Sequence, residues 1–332
     1  MISILLPIYN SESHLAACLD SILLQTQSNW ELLAVDDYSD DDTWLLLQRY
    51  AQKDPRIRPL QNSGQKGIIP ALRLALLHSR GRFITRMDAD DLMPAHKLQT
   101  LRSLLQFRGP GWVATGKVRY FADEELGDGY LRYQRWLNRL ADSGRYFEEI
   151  YRECVLPSPA WLILKEDLLR CGGFRPDTYP EDYDLCFRFY EQGLKIVASP
   201  ETVHLWRDHA ARTSRNSEVY ADYTFMPIKL HYFLKLDYQP ARPLVLWGAG
   251  RKGKEAALRL QEEGIYFHWV CDTPGKIGKD IYGIRLKSYE TITSLNNPQV
   301  LVMVAAPDAQ VEISGHLQEW RMQAGQDFFF FC

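Results

Sequence analysis

Little in this chain of 332 residues points to a membrane span, a disulfide framework or a nucleic-acid partner. No apolar run approaches the roughly 18 to 20 residues that a transmembrane helix needs. The six cysteines, Cys18, Cys154, Cys171, Cys186, Cys271 and Cys332, are scattered and include no C-x-x-C pair. They read as the reduced thiols of a cytoplasmic protein. Neither sign of charge dominates: 39 Lys and Arg against 42 Asp and Glu leave a formal charge of −3, so no basic field exists to hold nucleic acid. The apolar start, Met1 to Tyr9, carries no basic residues and is only a strand's length, which reads as a strand rather than a signal peptide. No short-period repeat is visible. What is present is ordinary globular composition, 46% hydrophobic and 24% charged, which excludes disorder, collagen and coiled coil. The length suits two domains.

The first 120 residues alternate strand and helix patterns. Ile2 to Ile8 reads as a strand, followed by the turn signal Asn10-Ser11. Leu15, Cys18, Leu19, Ile22 and Leu23 then recur at helical spacing. Glu31 to Val35 is a second strand, ending in Asp36-Asp37. A helix to about Ala51 is expected next, with Ser39 as N-cap and Asp42 three residues on. Ile57 to Leu60 is a short strand, Gly64 to Gly67 a glycine-bracketed loop, and Ile68 to His78 a helix with Pro70 in its first turn. Phe83 to Met87 is a strand that runs into Asp88-Ala89-Asp90-Asp91. This alternation predicts an α/β fold, a mostly parallel sheet flanked by helices. Ligands of such sheets sit beyond the carboxyl ends of the strands, where Tyr9, Asp37 and the Asp88 to Asp91 cluster converge.

Residues of about 121–153 are rich in Tyr, Trp, Arg and Glu. They read as a helical insertion whose rings either pack on the sheet or form a stacking platform for sugar. A further helix of about 217–236 leads to Pro240 and Pro243, which places the boundary between a domain of 1–238 and one of 239–332.

In extended backbone, residues i and i+2 project to the same side, so Asp88 and Asp90 address one ligand. Such a pair suits a hard divalent cation, Mg²⁺ or Mn²⁺, which keeps one or two protein carboxylates and bridges to phosphate oxygens. A solvated acidic loop before a helix has the same composition. Glu181-Asp182-Tyr183-Asp184 likewise suits either a helix N-terminus or a catalytic carboxylate. Asp90 and Asp91 are adjacent, and both remain candidates for the metal.

Taken together, Pro7-Ile8-Tyr9-Asn10, Val35-Asp36-Asp37-Tyr38-Ser39 with Asp42-Thr43, Arg86-Met87-Asp88-Ala89-Asp90-Asp91 and Glu181-Asp182 resemble the family 2 glycosyltransferases. Ser158 to Arg188 is similar to the acceptor-side segment of that family, and Arg207-x-His209 with Ser214 to its closing motif. The resemblance covers residues of about 1–215 and implies the GT-A fold and inverting transfer from a nucleotide sugar. It implies that Pro7 and Tyr9 line the nucleobase, Asp37 accepts from its ring N–H, and Lys66 serves a phosphate. Asp88 then faces the ribose or metal side, Asp90 and His209 ligate Mn²⁺ or Mg²⁺, and Asp182 is the general base. Inversion is a single displacement, which needs one base on the acceptor hydroxyl and charge neutralisation on the leaving diphosphate.

The last domain restarts the strand–turn–helix pattern over roughly 90 residues. Leu244 to Trp247 is a strand, Gly248-Ala249-Gly250-Arg251-Lys252-Gly253 a turn, and Lys254 to Glu263 a helix. Tyr266 to Val270 is a strand that leads to Asp272. Gly248, Gly250, Gly253 and Asp272 have the context of a dinucleotide fingerprint, and the segment resembles small Rossmann-like domains appended to sugar-modifying enzymes. Nucleotide binding and simple close packing both remain open for it.

The leading expectation is thus a metal-dependent glycosyltransferase that moves sugar from a nucleotide diphosphate donor, with UDP-sugar foremost. The acceptor is a hydroxyl of a polysaccharide or lipid-linked glycan. Peripheral contact with the inner face of the cell membrane, through Tyr130 to Trp136 and the nearby arginines, and self-association both fit that role. The rivals are a non-catalytic nucleotide-sugar-binding scaffold and an NAD-linked sugar-modifying activity in the last domain.

Overall fold

The computed structural model describes residues 1–122, 125–209 and 225–332. They form two compact units. The first holds the described residues up to 146 and from 155 to 209; the second holds 147–154 and 225–332.

The first unit is built on a seven-stranded sheet of order β3-β2-β1-β4-β6-β5-β7. Its strands are β1 (Ile2–Ile8), β2 (Trp30–Asp36), β3 (Ile57–Gln61), β4 (Phe83–Arg86), β5 (Trp112–Ala122), β6 (Leu162–Leu164) and β7 (Lys195–Asp208). The helices are α1 (Glu12–Leu23), α2 (Thr43–Lys53), α3 (Ile68–His78), α4 (Lys97–Leu105), α5 (Asp128–Ser143), α6 (Lys165–Arg170) and α7 (Glu181–Glu191). β6 is antiparallel to both its neighbours, whereas the other pairs run parallel. Every residue of β2 is buried, as expected of a parallel strand covered on both faces. Ile4, Leu6 and Ile8 of β1 share one core with Leu15, Cys18 and Ile22 of α1, Leu47 of α2 and Leu98 and Leu101 of α4. Outside that cluster, α3 packs against β1 and β2.

This arrangement brings the carboxyl ends of β1, β2 and β4 to one edge. Ser39 does not cap α2. The helix begins at Thr43 after Asp42, and the Ser39 hydroxyl instead accepts from the Asn10 N–H at 3.0 Å, which fastens the β1 and β2 loops together.

The second unit starts earlier than the expected boundary at 238/239. Helix α8 (Phe225–Leu236) places Phe233 5.3 Å from Phe329 and 5.9 Å from Phe331 between ring centroids. Tyr151, from the 147–154 segment, stacks on Phe331 at 5.2 Å. Aromatic burial therefore draws both segments into this unit. Its sheet comprises β8 (Leu244–Trp247), β9 (His268–Cys271), β12 (Lys287–Ser288), β13 (Gln299–Val302) and β14 (Phe328–Phe330) in the order β12-β9-β8-β13-β14. All of its pairs are parallel. A hairpin of β10 (Asp280–Ile281) and β11 (Ile284–Arg285) stands apart from the sheet, and α9 (Arg251–Glu262) and α10 (Pro307–Glu319) complete the unit.

Where β8 turns into α9, Gly248 has φ +120° and a Cβ on Gly253 would lie 2.1 Å from the Gly248 carbonyl oxygen. Gly253→Ala is therefore expected to destabilise the second unit by about 3 kcal/mol through forced separation of helix and turn. Thermal unfolding measures this; an unchanged melting transition would mean that the helix and turn do not approach so closely.

Candidate active site

The site is assembled from the loops that leave three parallel strands. At the end of β2, Asp37 is 5% exposed and its N–H donates to the Ile8 carbonyl at 2.7 Å. Tyr38 follows with φ +63° and turns the chain back. Asp37 Oδ1 accepts from Asn62 Nδ2 at 2.6 Å, and Oδ2 accepts from the Gly67 N–H at 2.8 Å. Asn62 also donates to the Gln65 carbonyl and accepts from the Gly64 N–H, while the Tyr38 hydroxyl donates to the Gly64 carbonyl. The 62–67 loop is thus fastened to the carboxylate expected to read the base. Each carboxylate oxygen retains a second lone pair for a ligand N–H. Lys66 Nζ lies 3.7 Å from the centroid of the Tyr9 ring, which is 48% exposed. Pro7 lies within β1 opposite Val35. Tyr9, Asp37 and Lys66 are therefore gathered at this edge.

The two adjacent acids after β4 have different surroundings. Asp91 is 1% exposed; its Oδ2 lies 2.9 Å from His204 Nε2, and its Oδ1 accepts from the Arg207 N–H at 2.8 Å. It ties the loop to β7. Asp90 points elsewhere, with Oδ2 3.0 Å from His209 Nε2. The His14 ring of α1 lies 4.8 Å from the His209 ring, although helical spacing alone puts His14 on a surface face.

Asp182 stands in the first turn of α7. Its Oδ2 accepts from Ser158 Oγ at 2.9 Å, and its Oδ1 accepts from the Tyr183 N–H at 2.8 Å. Burial, and then the neighbouring Glu181 charge, push its pKa up to about 6, against the opposing pull of Arg86, Ser158 and the Tyr183 N–H. A carboxylate so raised is ionised at neutral pH yet a stronger base than a solvated one. Asp88 is also raised, first by burial, with Arg86 acting in the opposite sense.

Asp90 and His209 supply one hard and one borderline donor, and their contact is close enough for both to face one ion. Among the described residues no group of three or more His, Cys, Asp or Glu gathers around a common point. That donor set fits a cation completed by diphosphate oxygens and water rather than one caged by protein.

Several of the contacts here carry no sequence signal of their own. Arg86 and Glu181 are joined across 95 positions, and His14 is a single histidine on a helix. Asn62 two positions before a glycine is a turn signal, but nothing local connects it to Asp37. The rings of the 121–153 insertion follow the packing alternative in the first unit: Tyr130 lies 5.2 Å from the ring of Tyr120 in β5, and Tyr133 and Trp136 pack against the core. Ser214 and residues 217–224 of the expected helix lie outside the described residues.

In the second unit, Gly248 and Gly250 lie in the turn into α9, Gly253 lies in the first turn of that helix, and Asp272 follows β9 with an exposed side chain. Lys276 Nζ is 3.5 Å from the Ala249 carbonyl. Nothing stands within 4 Å of a Cβ on Gly250.

The mostly parallel sheet with its flanking helices matches the GT-A glycosyltransferase fold. Residues 3–171 match the family model "Glycosyl transferase family 2", and the chain belongs to that family. It is 36% identical over 235 residues to the Escherichia coli UDP-Glc:alpha-D-GlcNAc-diphosphoundecaprenol beta-1,3-glucosyltransferase WfaP, covering 65% of this chain and 80% of that protein. Among solved structures, S. aureus TarS 1-349 in complex with UDP-GlcNAc is similar, with TM-score 0.54 and 20% identity over 72% of this chain and 68% of that one. Mannosyltransferase PcManGT from Pyrobaculum calidifontis in complex with GDP-Man and Mn²⁺ gives TM-score 0.51 and 18% identity over 79% of each chain. These two likenesses concern the fold. Among the described residues no helix is long and apolar enough to cross a membrane.

Proposed function

We propose that the chain is an inverting, divalent-cation-dependent transferase that moves a sugar from a UDP-sugar to a hydroxyl of a polysaccharide or lipid-linked glycan. The observation that carries this reading is the convergence, on one edge of the sheet, of Asp37, Asp90 with His209, and the raised carboxylate of Asp182. The WfaP likeness supports UDP-sugar as the donor and a lipid-linked acceptor.

Tyr9 offers a ring face for the base, Asp37 an acceptor for its N–H, and Lys66 a cation for phosphate. Asp90 and His209 would hold Mn²⁺ or Mg²⁺, which supplies Lewis-acid neutralisation of the leaving diphosphate. Asp182 takes the proton from the acceptor hydroxyl as its oxygen bonds the anomeric carbon and the bond to the diphosphate breaks. Ser158 and the Tyr183 N–H orient that carboxylate.

Calorimetric titration of UDP with and without Mn²⁺ tests the donor half. Binding that strengthens with metal is expected, and the increment should vanish in His209→Ala. Binding of NAD in place of any nucleoside diphosphate would overturn the reading and favour the second unit as the functional centre. The acceptor half is tested by sugar transfer from UDP-glucose or UDP-GlcNAc to undecaprenyl-diphosphate-linked GlcNAc, followed by the anomeric configuration of the product. A retained configuration would exclude a single displacement.

A further inference from the structure

Arg86 has no part in the chemistry above, yet it occupies the place where the donor and acceptor sides meet. It is the last residue of β4 and is 5% exposed. Its Nε donates to Asp88 Oδ1 at 2.8 Å and its Nη1 donates to Glu181 Oε1 at 2.9 Å. Glu181 is 4% exposed and directly precedes Asp182.

We propose that Arg86, anchored by Glu181, is the positioning residue that holds the general base against the donor edge of the site. This rests on the reading of Asp182 as the base. One guanidinium spans from the D-x-D segment to the first turn of α7, and its rigid fork sets the separation of the two carboxylates. Ser158 and the Tyr183 N–H fix the rotamer of Asp182; the Arg86–Glu181 pair fixes the backbone turn that carries it. The base is thereby held from both sides, and a displacement of about 1 Å is enough to cost about 100-fold in rate.

The same cluster sets the charge around the base. Glu181 on α7 and Arg86 on β4 are the charged groups that act on Asp182, with opposite signs. Burial disfavours the guanidinium charge, but Asp88, Glu181 and Asp182 outweigh it, so Arg86 stays cationic. Asp88 is the second carboxylate that this cation serves. A merely structural ion pair would make Arg86 and Glu181 equivalent, since losing either breaks the same contact. A pair that tunes the base makes them opposed.

The test compares Arg86→Lys, Arg86→Met and Glu181→Gln with wild type in transfer assays across pH. Arg86→Lys keeps the charge and loses the fork. It should lower kcat by about 10- to 100-fold with the acid limb of the profile in place. Arg86→Met should move that limb up by about one pH unit, and Glu181→Gln should move it down by a similar amount. Because Arg86 still holds Asp88 in Glu181→Gln, UDP affinity there should match wild type while kcat falls.

If Arg86→Met does not fold, the isosteric Glu181→Gln and the conservative Arg86→Lys decide the matter. Limbs that stay put with unchanged kcat, or that move in the same direction, overturn the inference. Asp182→Asn is assayed alongside. Full activity in that variant would show that the base assignment itself has failed. An inactive Asp182→Asn beside unaffected Arg86 and Glu181 variants would sink only the positioning role.

A second readout needs no turnover: the pH above which the stability gap between wild type and Asp182→Asn has reached its full size, which follows the folded-state pKa of Asp182. It should move down when Glu181→Gln is added to both proteins and up when Arg86→Met is added. A levelling-off pH that both additions leave unmoved counts against the inference.

Discussion

Asp182→Asn is expected to lower the transfer rate by about 10³-fold while UDP affinity stays at the wild-type value. Asparagine has nearly the same shape, and its carbonyl can still accept from Ser158 or the Tyr183 N–H, so the turn should survive. What disappears is the proton acceptor. In the wild type, kcat should fall as pH drops through about 6, because burial and Glu181 raise the carboxylate to that value. Steady-state rates between mildly acidic and alkaline pH measure both effects. An Asp182→Asn enzyme with wild-type kcat would remove Asp182 from the chemistry.

The same substitution has a stability consequence of opposite sign. The Asp182 pKa is higher in the folded protein, about 6, than the value of 3.8 for the unperturbed group. Between those values the folded state binds the extra proton, so stability falls as pH rises through about 6. At neutral pH the wild type carries a destabilising charge that Asn lacks. Asp182→Asn should then be more stable by about 2 kcal/mol, with the partial exposure of the side chain taken into account. The difference should close as pH falls to about 4. Thermal melts at both pH values test it, and equal melting temperatures at neutral pH would contradict it.

Asp90→Ala and Asp91→Ala should fail in different ways, although the residues are neighbours. Asp90 is part-exposed and faces His209. Its loss should leave the fold intact and remove the increment that Mn²⁺ adds to UDP binding. Asp91 is buried against His204 and the Arg207 N–H. Removing it takes a buried partner from both groups, and His204 is itself fully buried, so the cost should be about 3 kcal/mol or more. Calorimetry with UDP and Mn²⁺, set beside thermal unfolding, separates the two. If Asp91→Ala folds like wild type and loses metal-dependent binding, the assignments of the two acids exchange.

The first three strands and α3 were legible because their burial is written in local pattern. Ile2 to Ile8 and Ile68 to His78 coincide with β1 and α3, where apolar runs and helical spacing leave little choice. The start of α2 was not legible, since Ser39 and Asp42 carry similar capping chemistry and the tie between Ser39 and Asn10 is a contact between loops. The unit boundary was misplaced for a comparable reason. Pro240 and Pro243 punctuate the chain, but the rings of Phe233 and Tyr151 decide where their segments pack.

The acids at the strand ends stand in the sequence as residue types in order, and with them came the family, the GT-A fold and the expected edge of the sheet. Which of two adjacent carboxylates turns inward is a matter of about one backbone step, and only the approach of β7, with His204 and Arg207, decides it. The fastening of Asp37 by Asn62 and Gly67, the His14–His209 contact and the Arg86 bridge to Glu181 likewise depend on residues far apart in the chain. Local pattern reports what a segment buries. Hydrogen bonds and ion pairs between loops exist only once the sheet has brought those loops to one edge, and that step belongs to the tertiary structure.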